Sequence, residues 1–574
     1  MRCEGERRAD TSTASRLRRW VWAMLAVMCA TPAESAAQEI LRIVDGRRYS
    51  ELVVPHHIDD LDGDGVDDVL VHGFGSFGLG RGTYFVISGV TGEMIWGPYY
   101  SSNNAAGITC GINNAAVLGD FDGDGTPDIA IGCGTSSAYA GHVVVLSGRT
   151  GQELARITNP LPPIAGRFGE SVGAVGDVNG DGLADLIFSR DSGRFDIHLA
   201  PSGAFAYSIF GPSISAGGKG IGDLNGDGKS EFVVGWGSSG VASVHSGADG
   251  SPMTAFCMPH AGLSLCGGRM GIQPVALGDL NGDGVPDFAL GNPWVGFLPS
   301  GASGFVMVFS GADFSVILQK WGRNDGLDPV FGEGLGMFLG GGIDINGDGV
   351  KDLVVSSNGG SWGHVVFSVI SGRTGQILFR LRPQALGGSY PIGVSGSGCA
   401  ALGDLDNDGC AEWAVCDSQY AAAGVLAGRM LILKGAPGDV DSICAGALNS
   451  QGRVSGLVWN GPPTEGTREA WIEVRGAIPD AIAQVEFGPE HPATPFGDGH
   501  LCLDPAYRFR YAAPVRLDST GAASVHADWG RPEISAGPTA WSAGSTWVLQ
   551  GTYRDPSGAA GFNATEALRV TFNR

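Results

Sequence analysis

Residues 168–189 have the sequence FGESVGAVGDVNGDGLADLIFS, and their centre decides how the chain folds. The nine residues DVNGDGLAD, which begin at Asp177, carry oxygen donors at positions 1, 3, 5 and 9 and a glycine at position 6. Ca²⁺ takes about six to eight oxygen ligands, and a glycine turn lets a short loop wrap around the ion. The backbone carbonyl of position 7 adds one such ligand. We call this nine-residue pattern the cassette.

The cassette occurs seven times, at spacings of 46 to 65 residues. The copies are DLDGDGVDD from Asp60, DFDGDGTPD from Asp120, DVNGDGLAD from Asp177, DLNGDGKSE from Asp223, DLNGDGVPD from Asp279, DINGDGVKD from Asp344 and DLDNDGCAE from Asp404. With the position-7 carbonyls included, the predicted ligands are Asp60, Asp62, Asp64, Val66 and Asp68; Asp120, Asp122, Asp124, Thr126 and Asp128; Asp177, Asn179, Asp181, Leu183 and Asp185; Asp223, Asn225, Asp227, Lys229 and Glu231; Asp279, Asn281, Asp283, Val285 and Asp287; Asp344, Asn346, Asp348, Val350 and Asp352; and Asp404, Asp406, Asp408, Cys410 and Glu412. The pattern predicts up to seven Ca²⁺ ions. We expect them to be mainly structural, because a regulatory or catalytic ion is normally one special site.

The residue at position 12 separates this pattern from an EF-hand, whose loop begins in the same way but closes with a carboxylate there. Position 12 is apolar in all seven copies: Val71, Ile131, Phe188, Val234, Leu290, Val355 and Val415. The twelve-residue loop is therefore excluded. The short apolar runs after the cassettes, such as DIAIG and EFVVG, predict buried strands, so the cassette belongs to a β-hairpin.

Composition supports a large all-β protein with an acidic surface. The chain has 574 residues, with 96 Gly and 30 Pro and no collagen period, which indicates many tight turns between short strands. Its formal net charge is −23, and the cassettes place 24 carboxylates at ligand positions. Seven bound Ca²⁺ ions would offset more than half of that net charge. We therefore expect most of the excess acidic residues to bind metal ions. Nucleic acid is not the expected partner of an acidic chain.

The first 37 residues have the features of a secretory signal peptide. Basic residues precede an apolar run at residues 20–30, and Ser35-Ala36-Ala37 predicts cleavage before Gln38. The apolar run is too short to cross a bilayer, and no later stretch is long enough, so we expect no transmembrane segment. The sequence predicts a secreted or cell-surface protein.

Nine cysteines remain after this cleavage, an odd number for an oxidising compartment. The favoured pairs are Cys110–Cys133, Cys257–Cys266, Cys444–Cys502 and Cys399–Cys416, which leaves Cys410 as a free thiol. Other pairings among Cys399, Cys410 and Cys416 stay open, because sequence alone does not fix connectivity.

Repeats of this length indicate a propeller or a solenoid. Each period contains four strand-like segments, which predicts the four-stranded antiparallel blade of a β-propeller, and seven periods predict seven blades. The segment QEILRIVDG at residues 38–46 is similar to GQELARITNP at residues 151–160, where a fourth strand is expected. Because the last period lacks its own fourth strand, residues 39–44 are predicted to complete the last blade and close the ring.

These features resemble the FG-GAP repeats of integrin α-subunit propellers and their secreted bacterial relatives. Phe168-Gly169 with the cassette after it carries the resemblance, Phe331-Gly332 repeats its opening, and Leu290-Gly291-Asn292-Pro293 is similar to the Gly-Ala-Pro element. The resemblance covers residues 39–437. It implies a calcium-binding seven-bladed propeller, although in integrins only some blades carry the cation loop, whereas all seven periods do here.

Residues 438–574 lack the cassette and alternate apolar with polar residues between Gly and Pro turns, which predicts a small β-sandwich-like domain. This region resembles a C-terminal module of secreted proteins from planctomycete- or myxobacterium-like bacteria. The expected organisation is therefore a signal peptide at 1–37, a propeller at 38–437 and a C-terminal domain at 438–574.

The predicted function is binding, because propellers present loops on a rigid scaffold. Long insertions at residues 97–112, 256–270 and 321–331 favour a recognition face for a protein or glycan at the cell surface or in the matrix. No nucleophile–base pattern, GxSxG, HExxH or phosphate-binding loop occurs in a suitable context, so we expect no enzyme activity. The alternative is a calcium-dependent, lyase-like enzyme acting on polysaccharides. We expect a monomer.

Overall fold

The computed structural model is built from β-strands, and the residues it describes contain no α-helix. The described residues are 40–45, 51–74, 82–100, 115–133, 141–158, 168–191, 193–212, 217–236, 239–257, 274–293, 304–322, 334–357, 365–381, 398–417, 421–422, 425–426, 428–435, 439–444, 450, 455–460, 471–475, 477–496, 499–504, 508–511, 513–518, 521–526, 541–542, 545–558 and 561–572. The predicted signal peptide and most of the three long insertions lie outside them. No helix in the described part is long and apolar enough to cross a membrane.

Seven four-stranded antiparallel sheets occupy the cassette region of the described chain. A first strand, β1, spans Ile40–Asp45. Sheet 1 contains β2 Glu51–Ile58, β3 Asp68–Phe74, β4 Gly82–Ile87 and β5 Met94–Tyr100; sheet 2 contains β6 Ala115–Val117, β7 Ile129–Cys133, β8 His142–Leu146 and β9 Glu153–Thr158; sheet 3 contains β10 Val172–Gly176, β11 Asp185–Asp191, β12 Arg194–Leu199 and β13 Ala204–Phe210; sheet 4 contains β14 Gly217–Gly222, β15 Glu231–Trp236, β16 Val241–His245 and β17 Pro252–Cys257; sheet 5 contains β18 Val275–Gly278, β19 Asp287–Asn292, β20 Phe305–Phe309 and β21 Val316–Trp321; sheet 6 contains β22 Leu335–Ile343, β23 Asp352–Ser357, β24 Phe367–Ile370 and β25 Ile377–Leu381. Sheet 7 contains β26 Cys399–Ala401, β27 Trp413–Asp417 and β30 Arg429–Leu433, with a separate two-stranded hairpin of β28 Ala421–Ala422 and β29 Val425–Leu426.

The sheets pack face to face in a closed cycle. One buried hydrophobic cluster joins each neighbouring pair, as when Ile58 and Leu70 of sheet 1 pack with Ile129 and Val144 of sheet 2. The cycle closes where Met430 of sheet 7 lies in one cluster with the buried strands of sheet 1. The first strands of the sheets also contact one another in the same cyclic order. This is the architecture of a β-propeller, in which the apolar faces of each strand-rich unit are covered by both neighbours.

Strand β1 is the fourth strand of sheet 7. It pairs antiparallel with β30, with Ile40 opposite Leu433 and Asp45 opposite Arg429. Val44 is buried in the cluster between sheets 7 and 1, whereas Ile43 is 55% exposed. The guanidinium of Arg42 also donates hydrogen bonds to the carbonyls of Gly89 and Val90 in sheet 1. A strand from one end of the sequence thus joins the last sheet to the first.

The C-terminal region contains two larger sheets over a common core. A six-stranded sheet contains β31 Asp439–Cys444, β34 Ile482–Gly488, β37 Phe509–Arg510, β38 Val515–Arg516, β40 Thr546–Arg554 and β41 Phe562–Thr571; a three-stranded sheet contains β32 Gly456–Asn460, β33 Trp471–Arg475 and β39 Ala523–His526; and a hairpin contains β35 Glu490–Phe496 and β36 Gly499–Leu503. Val485 and Leu549 of the first sheet pack with Leu457 and Trp459 of the second. This packing is that of a β-sandwich, so the prediction of an all-β chain with propeller-type sheets and a sandwich-like region is confirmed.

One predicted disulfide is wrong. Cys399, Cys410 and Cys416 are free, buried thiols, so Cys399–Cys416 is not formed. In sheet 7 Cys399 lies opposite Val415, and adjacent residues of a strand point to opposite faces. Cys399 therefore packs between sheets 6 and 7, and Cys416 between sheets 7 and 1. Cys133, Cys257 and Cys502 are disulfide-bonded, and the partners predicted for them, Cys110, Cys266 and Cys444, have no described side chains.

Candidate metal centres

Each cassette forms the loop between the first and second strands of its sheet, and its first aspartate organises that loop. In the first copy, Asp60 Oδ1 accepts hydrogen bonds from the backbone N–H groups of Gly63 at 2.7 Å and Asp64 at 3.2 Å. Asp60 Oδ2 accepts the N–H of Gly65 at 2.8 Å. Asp120, Asp177 and Asp279 make the same three contacts in their loops. The loop therefore wraps around the first carboxylate.

The side chains at positions 3 and 5 also accept backbone hydrogen bonds within the loop. In the first copy, Asp62 Oδ1 accepts the N–H of Asp64 at 3.1 Å, and Asp64 Oδ1 accepts the N–H of Val66 at 3.0 Å. The tight path needs a left-handed backbone at position 4, where Gly63 has φ 80°. The seventh copy has Asn407 there with φ 58°, which asparagine tolerates better than most residues.

The carboxylate at position 9 lies at the base of the loop and is fully buried in every copy: Asp68, Asp128, Asp185, Glu231, Asp287, Asp352 and Glu412. In the first copy, Asp68 Oδ2 accepts the N–H of Leu61 at 2.7 Å, and Oδ1 accepts the N–H of Gly89 at 3.0 Å. Gly89 belongs to the turn between the third and fourth strands. The position-9 side chain thus ties the cassette to a second loop of the same sheet.

Burial of these carboxylates raises their pKa values. Desolvation, only partly offset by the two backbone hydrogen bonds, raises the pKa of Asp68 to about 6. The same cause raises the pKa of Glu412 to about 7 and that of Asp352 to about 8. Neighbouring cassette carboxylates such as Asp62 and Asp60 raise the pKa of Asp68 further. A buried carboxylate surrounded by like charges needs a counter-ion, and a bound cation supplies one.

Distances and unpartnered oxygens fit a divalent cation. In three loops the carboxylate oxygens of positions 1, 3 and 9 lie within 4.8 Å of one another: Asp60, Asp62 and Asp68; Asp120, Asp122 and Asp128; and Asp404, Asp406 and Glu412. In the seventh loop, Asp406 Oδ1 and Glu412 Oε1 are buried and accept no hydrogen bond from the described residues. Converging oxygens at this spacing suit a hard cation such as Ca²⁺. The residues therefore fit the predicted ion.

Basic side chains contact the last two loops. The ammonium of Lys434 contacts the carboxylate of Asp406, and its Nζ lies 3.7 Å from Asp408 Oδ2. In the sixth loop, Arg373 Nε donates to Asp348 Oδ2 at 3.0 Å. These two loops therefore hold a cationic group of the protein beside the ligand positions, and a metal ion there would compete with it.

A second cluster beside the first cassette was missed by sequence reasoning. His57 Nε2 lies 2.8 Å from Asp67 Oδ2, and with Asp59 these groups offer ligand atoms within 4.8 Å of one another. Asp67 is the position-8 residue, and the first copy is the one cassette with a carboxylate there. The signal was present in the sequence HHIDD, but the pairing depends on strand register that the sequence does not give.

Comparisons with known proteins match this region. An FG-GAP-like repeat family model matches residues 120–188 and 223–290, and an FG-GAP repeat model matches residues 275–309. The chain is 29% identical over 256 residues to integrin alpha-5 of Xenopus laevis and 32% identical over 251 residues to integrin alpha-IIb of Mus musculus. Both alignments cover 43% of this chain, and the chain spans only 20% of the length of either relative.

Among solved structures, the chain is similar to the V. cholerae biofilm matrix protein Bap1, with a TM-score of 0.37 and 14% identity. The match covers 71% of this chain and 90% of that chain. At this TM-score the likeness supports no inference about the present chain.

Proposed function

Because the FG-GAP repeats and the integrin α relatives support an FG-GAP/integrin-α-like family, we propose that this chain is a calcium-stabilised binding module. The proposed scaffold is a seven-bladed propeller over residues 38–437, followed by a C-terminal domain over residues 438–574. The observation that carries the calcium role is the buried position-9 carboxylate, repeated at the base of all seven loops.

The proposed role of the ions follows from the contacts of each loop. Positions 1, 3, 5 and 9 and the carbonyl of position 7 hold Ca²⁺, and the position-9 side chain links the ion to the turn after the third strand. A bound ion neutralises three or four carboxylates that otherwise repel one another within one turn. It therefore stabilises the folded loop and, through position 9, the sheet below it. Binding to the folded chain alone raises stability by mass action.

The proposed ligand is a protein or a glycan at the cell surface or in the matrix, bound without catalysis. Recognition in such folds falls on loops held by a rigid scaffold, and the insertions at residues 97–112, 256–270 and 321–331 are the proposed recognition surface. The predicted signal peptide supports a secreted or surface location. Fold likeness alone does not name a ligand, so the ligand class is tested separately from the metal.

The calcium proposal is tested by the melting temperature and by metal analysis of the purified protein. We expect EDTA to lower the melting temperature by many degrees, and Ca²⁺ to restore it better than Mg²⁺. The Asp68→Asn variant should bind about one Ca²⁺ fewer per chain. It should also lose part of the calcium-dependent rise in melting temperature. Asp480→Asn, which changes an exposed aspartate outside every cassette, is the control and should keep both the bound Ca²⁺ and the calcium-dependent rise in melting temperature. An unchanged melt in EDTA would contradict the proposal.

The binding proposal is tested with a glycan array and a pull-down from cell envelopes, each with and without Ca²⁺. Calcium-dependent capture of a glycan or a surface protein is expected. Turnover of a polysaccharide by the purified chain would contradict a purely binding role. Failure of both assays with a protein that still melts in a calcium-dependent way would reject the ligand class and leave the metal sites intact.

A further inference from the structure

The second cluster beside the first cassette combines an imidazole with two carboxylates. His57 lies in β2, Asp59 follows the end of that strand, and Asp67 is the position-8 residue just before β3. His57 Nε2 lies 2.8 Å from Asp67 Oδ2, and ligand atoms of all three residues lie within 4.8 Å of one another. We call these three residues the flank cluster. It brings together one nitrogen and two oxygen ligands, whereas the cassettes are expected to bind through oxygen alone.

The flank cluster occurs in the first repeat alone. Its members lie three residues and one residue before the cassette and at cassette position 8. In the other six copies the first of these positions holds Gly, Ala or Val, the second holds Gly in five copies and Ile in one, and position 8 holds Pro, Ala, Ser or Lys. Strand register makes the copies equivalent, because in every sheet the residue three before the cassette pairs with the residue after position 9. Six equivalent loops thus form without these side chains, so the fold of the loop does not explain why all three differ together.

The charge of the flank cluster also favours a bound cation. The first cassette already brings four carboxylates around one proposed ion. Asp59 and Asp67 add two more beside them, and like charges so close together repel one another. The His57 imidazole offsets at most one of these negative charges, and only when it is protonated. A second cation next to the first cassette would balance the remainder.

The exposure and spacing of the flank cluster suit a metal ion that arrives from solvent. The side chains of His57 and Asp67 are 31% and 37% exposed, and Asp59 is also exposed. Two ligand atoms that each lie about 2.1 Å from one ion are about 3.0 to 3.4 Å apart. The 2.8 Å between His57 Nε2 and Asp67 Oδ2 is slightly shorter, because these two atoms share a hydrogen bond. A small separation of the two groups, with loss of the shared proton, makes room for the ion.

A glycine of sheet 7 leaves the space that the Asp67 carboxylate occupies. A Cβ atom placed at Gly403 would overlap Asp67 Oδ2. At the equivalent Gly119 of sheet 2, a Cβ atom would lie 3.6 Å from the Cβ of Ala184, which is an ordinary contact. Gly403→Ala therefore displaces the Asp67 carboxylate without changing its chemistry, and Gly119→Ala is the matched change without that effect.

We propose that His57, Asp59 and Asp67 bind one first-row transition-metal ion of the Zn²⁺ type beside the first calcium loop. An imidazole ligand favours such ions, whereas Ca²⁺ takes oxygen ligands. Three protein ligands leave at least one coordination position for water or for an oxygen atom of a bound ligand. The site is separate from the cassettes, and it does not depend on the proposed surface ligand.

Isothermal calorimetry with Zn²⁺ tests the site on the full chain at saturating Ca²⁺, which keeps the cassettes filled. We expect one saturable Zn²⁺ per chain, and we expect His57→Gln to abolish it. Asp59→Asn should weaken Zn²⁺ binding about 10-fold or more, because loss of a group that only orients a ligand already costs about 10- to 100-fold. His500→Gln, the same change at an exposed histidine of β36, is the control and should keep the site.

The two glycine variants test the Asp67 ligand separately. Gly403→Ala should weaken Zn²⁺ binding several-fold, whereas Gly119→Ala should leave the affinity unchanged. Equal affinities of these two variants would show that Asp67 is not a ligand and would overturn the three-residue site. The visible absorption of bound Co²⁺ is a second readout, because it depends on the ligand set and should be lost in His57→Gln.

Two further results would overturn the proposal. One is a wild type without saturable Zn²⁺ heat, or with the same titration as His57→Gln. The other is a Zn²⁺ affinity that falls in proportion to the Ca²⁺ concentration, because the ion would then occupy the cassette. If His57→Gln does not fold, the titrations of Asp59→Asn and Gly403→Ala decide the outcome.

Discussion

At the scale of single residues, the position-9 carboxylate explains why the cassette both folds and binds. Its two oxygens accept backbone N–H groups from two different loops, as Asp185 does from Val178 at 2.9 Å and from Ala200 at 2.8 Å. Each oxygen keeps a further lone pair for a cation. One side chain therefore connects the loop, the turn beside it and the proposed ion, which accounts for its complete burial.

Lys434 makes the seventh loop different from the first five. Its ammonium contacts the carboxylates of Asp406 and Asp408, so it competes with a bound ion. We expect Lys434→Met to lower the melting temperature in EDTA and to tighten calcium binding at one site several-fold. Calorimetric calcium titration and melting curves measure both effects. Lys320→Met, the same change on strand β21 outside the cassettes, is the control, and identical titrations of Lys434→Met and the wild type would contradict the competition.

The free cysteines provide a chemical test of the register between β26 and β27 in sheet 7. Three buried thiols, at Cys399, Cys410 and Cys416, should resist a thiol reagent in the folded protein and react after unfolding. Burial and nearby carboxylates such as Asp408 raise the pKa of Cys410 to about 12, which keeps the thiolate scarce. In a chain without residues 1–37, we expect about three thiols per molecule in denaturant by colorimetric titration. A single reactive thiol per denatured chain would show that Cys399 and Cys416 form a disulfide bond after all.

At the scale of elements, the sequence predicted most of each sheet from the cassette alone. The apolar twelfth position indicated a buried strand, and the structure has β11 from Asp185 and β15 from Glu231, at the predicted place. The similarity of residues 38–46 to residues 151–160 indicated the outer strand now seen as β1. The register between paired strands could not be predicted from the sequence. A shift of one residue exchanges the two faces of a strand but leaves the sequence pattern unchanged. The Cys399–Cys416 error and the missed His57–Asp67 pair both have this cause.

Two adjacent residues of β1 test its contribution to sheet 7. Val44 is buried between sheets 7 and 1, and Ile43 beside it is 55% exposed. We expect Val44→Asp to lower the free energy of unfolding by about 3 kcal/mol or more, because it buries a charge without a partner. Ile43→Asp, the matched control, should change it by less than about 1 kcal/mol. Denaturant unfolding measures both, and equal losses would show that β1 does not pack as described.

At the scale of the whole molecule, the described chain has two kinds of core. The seven clusters of the cassette region each join two neighbouring sheets, so no sheet there has a core of its own. The two larger C-terminal sheets share a separate core around Trp459 and Trp541, and a smaller cluster that includes Leu501 and Val548 joins the hairpin to the six-stranded sheet. The division of the chain into domains at residue 437 stays a prediction, made from the end of the cassettes.

Scanning calorimetry tests this division. We expect two transitions, one from the cassette region and one from the C-terminal region. EDTA should lower the temperature of the first by many degrees and leave the second in place, because residues 438–574 contain no cassette. A truncated chain ending at residue 437 identifies the first transition. Equal shifts of both transitions in EDTA would show that the two regions unfold together.

The pairing of β1 with β30 also affects the order in which the protein folds during its synthesis. Strand β1 is synthesised before any other strand of the ring, and its partner follows roughly 390 residues later, as Ile40 and Leu433 show. Contacts between such distant residues form slowly, because the intervening chain must first be ordered. Until β30 emerges, β1 has no sheet to join and the last blade lacks its outer edge. Closure of the ring is therefore the late step in biogenesis, and the nascent chain before it is the form most in need of protection from aggregation.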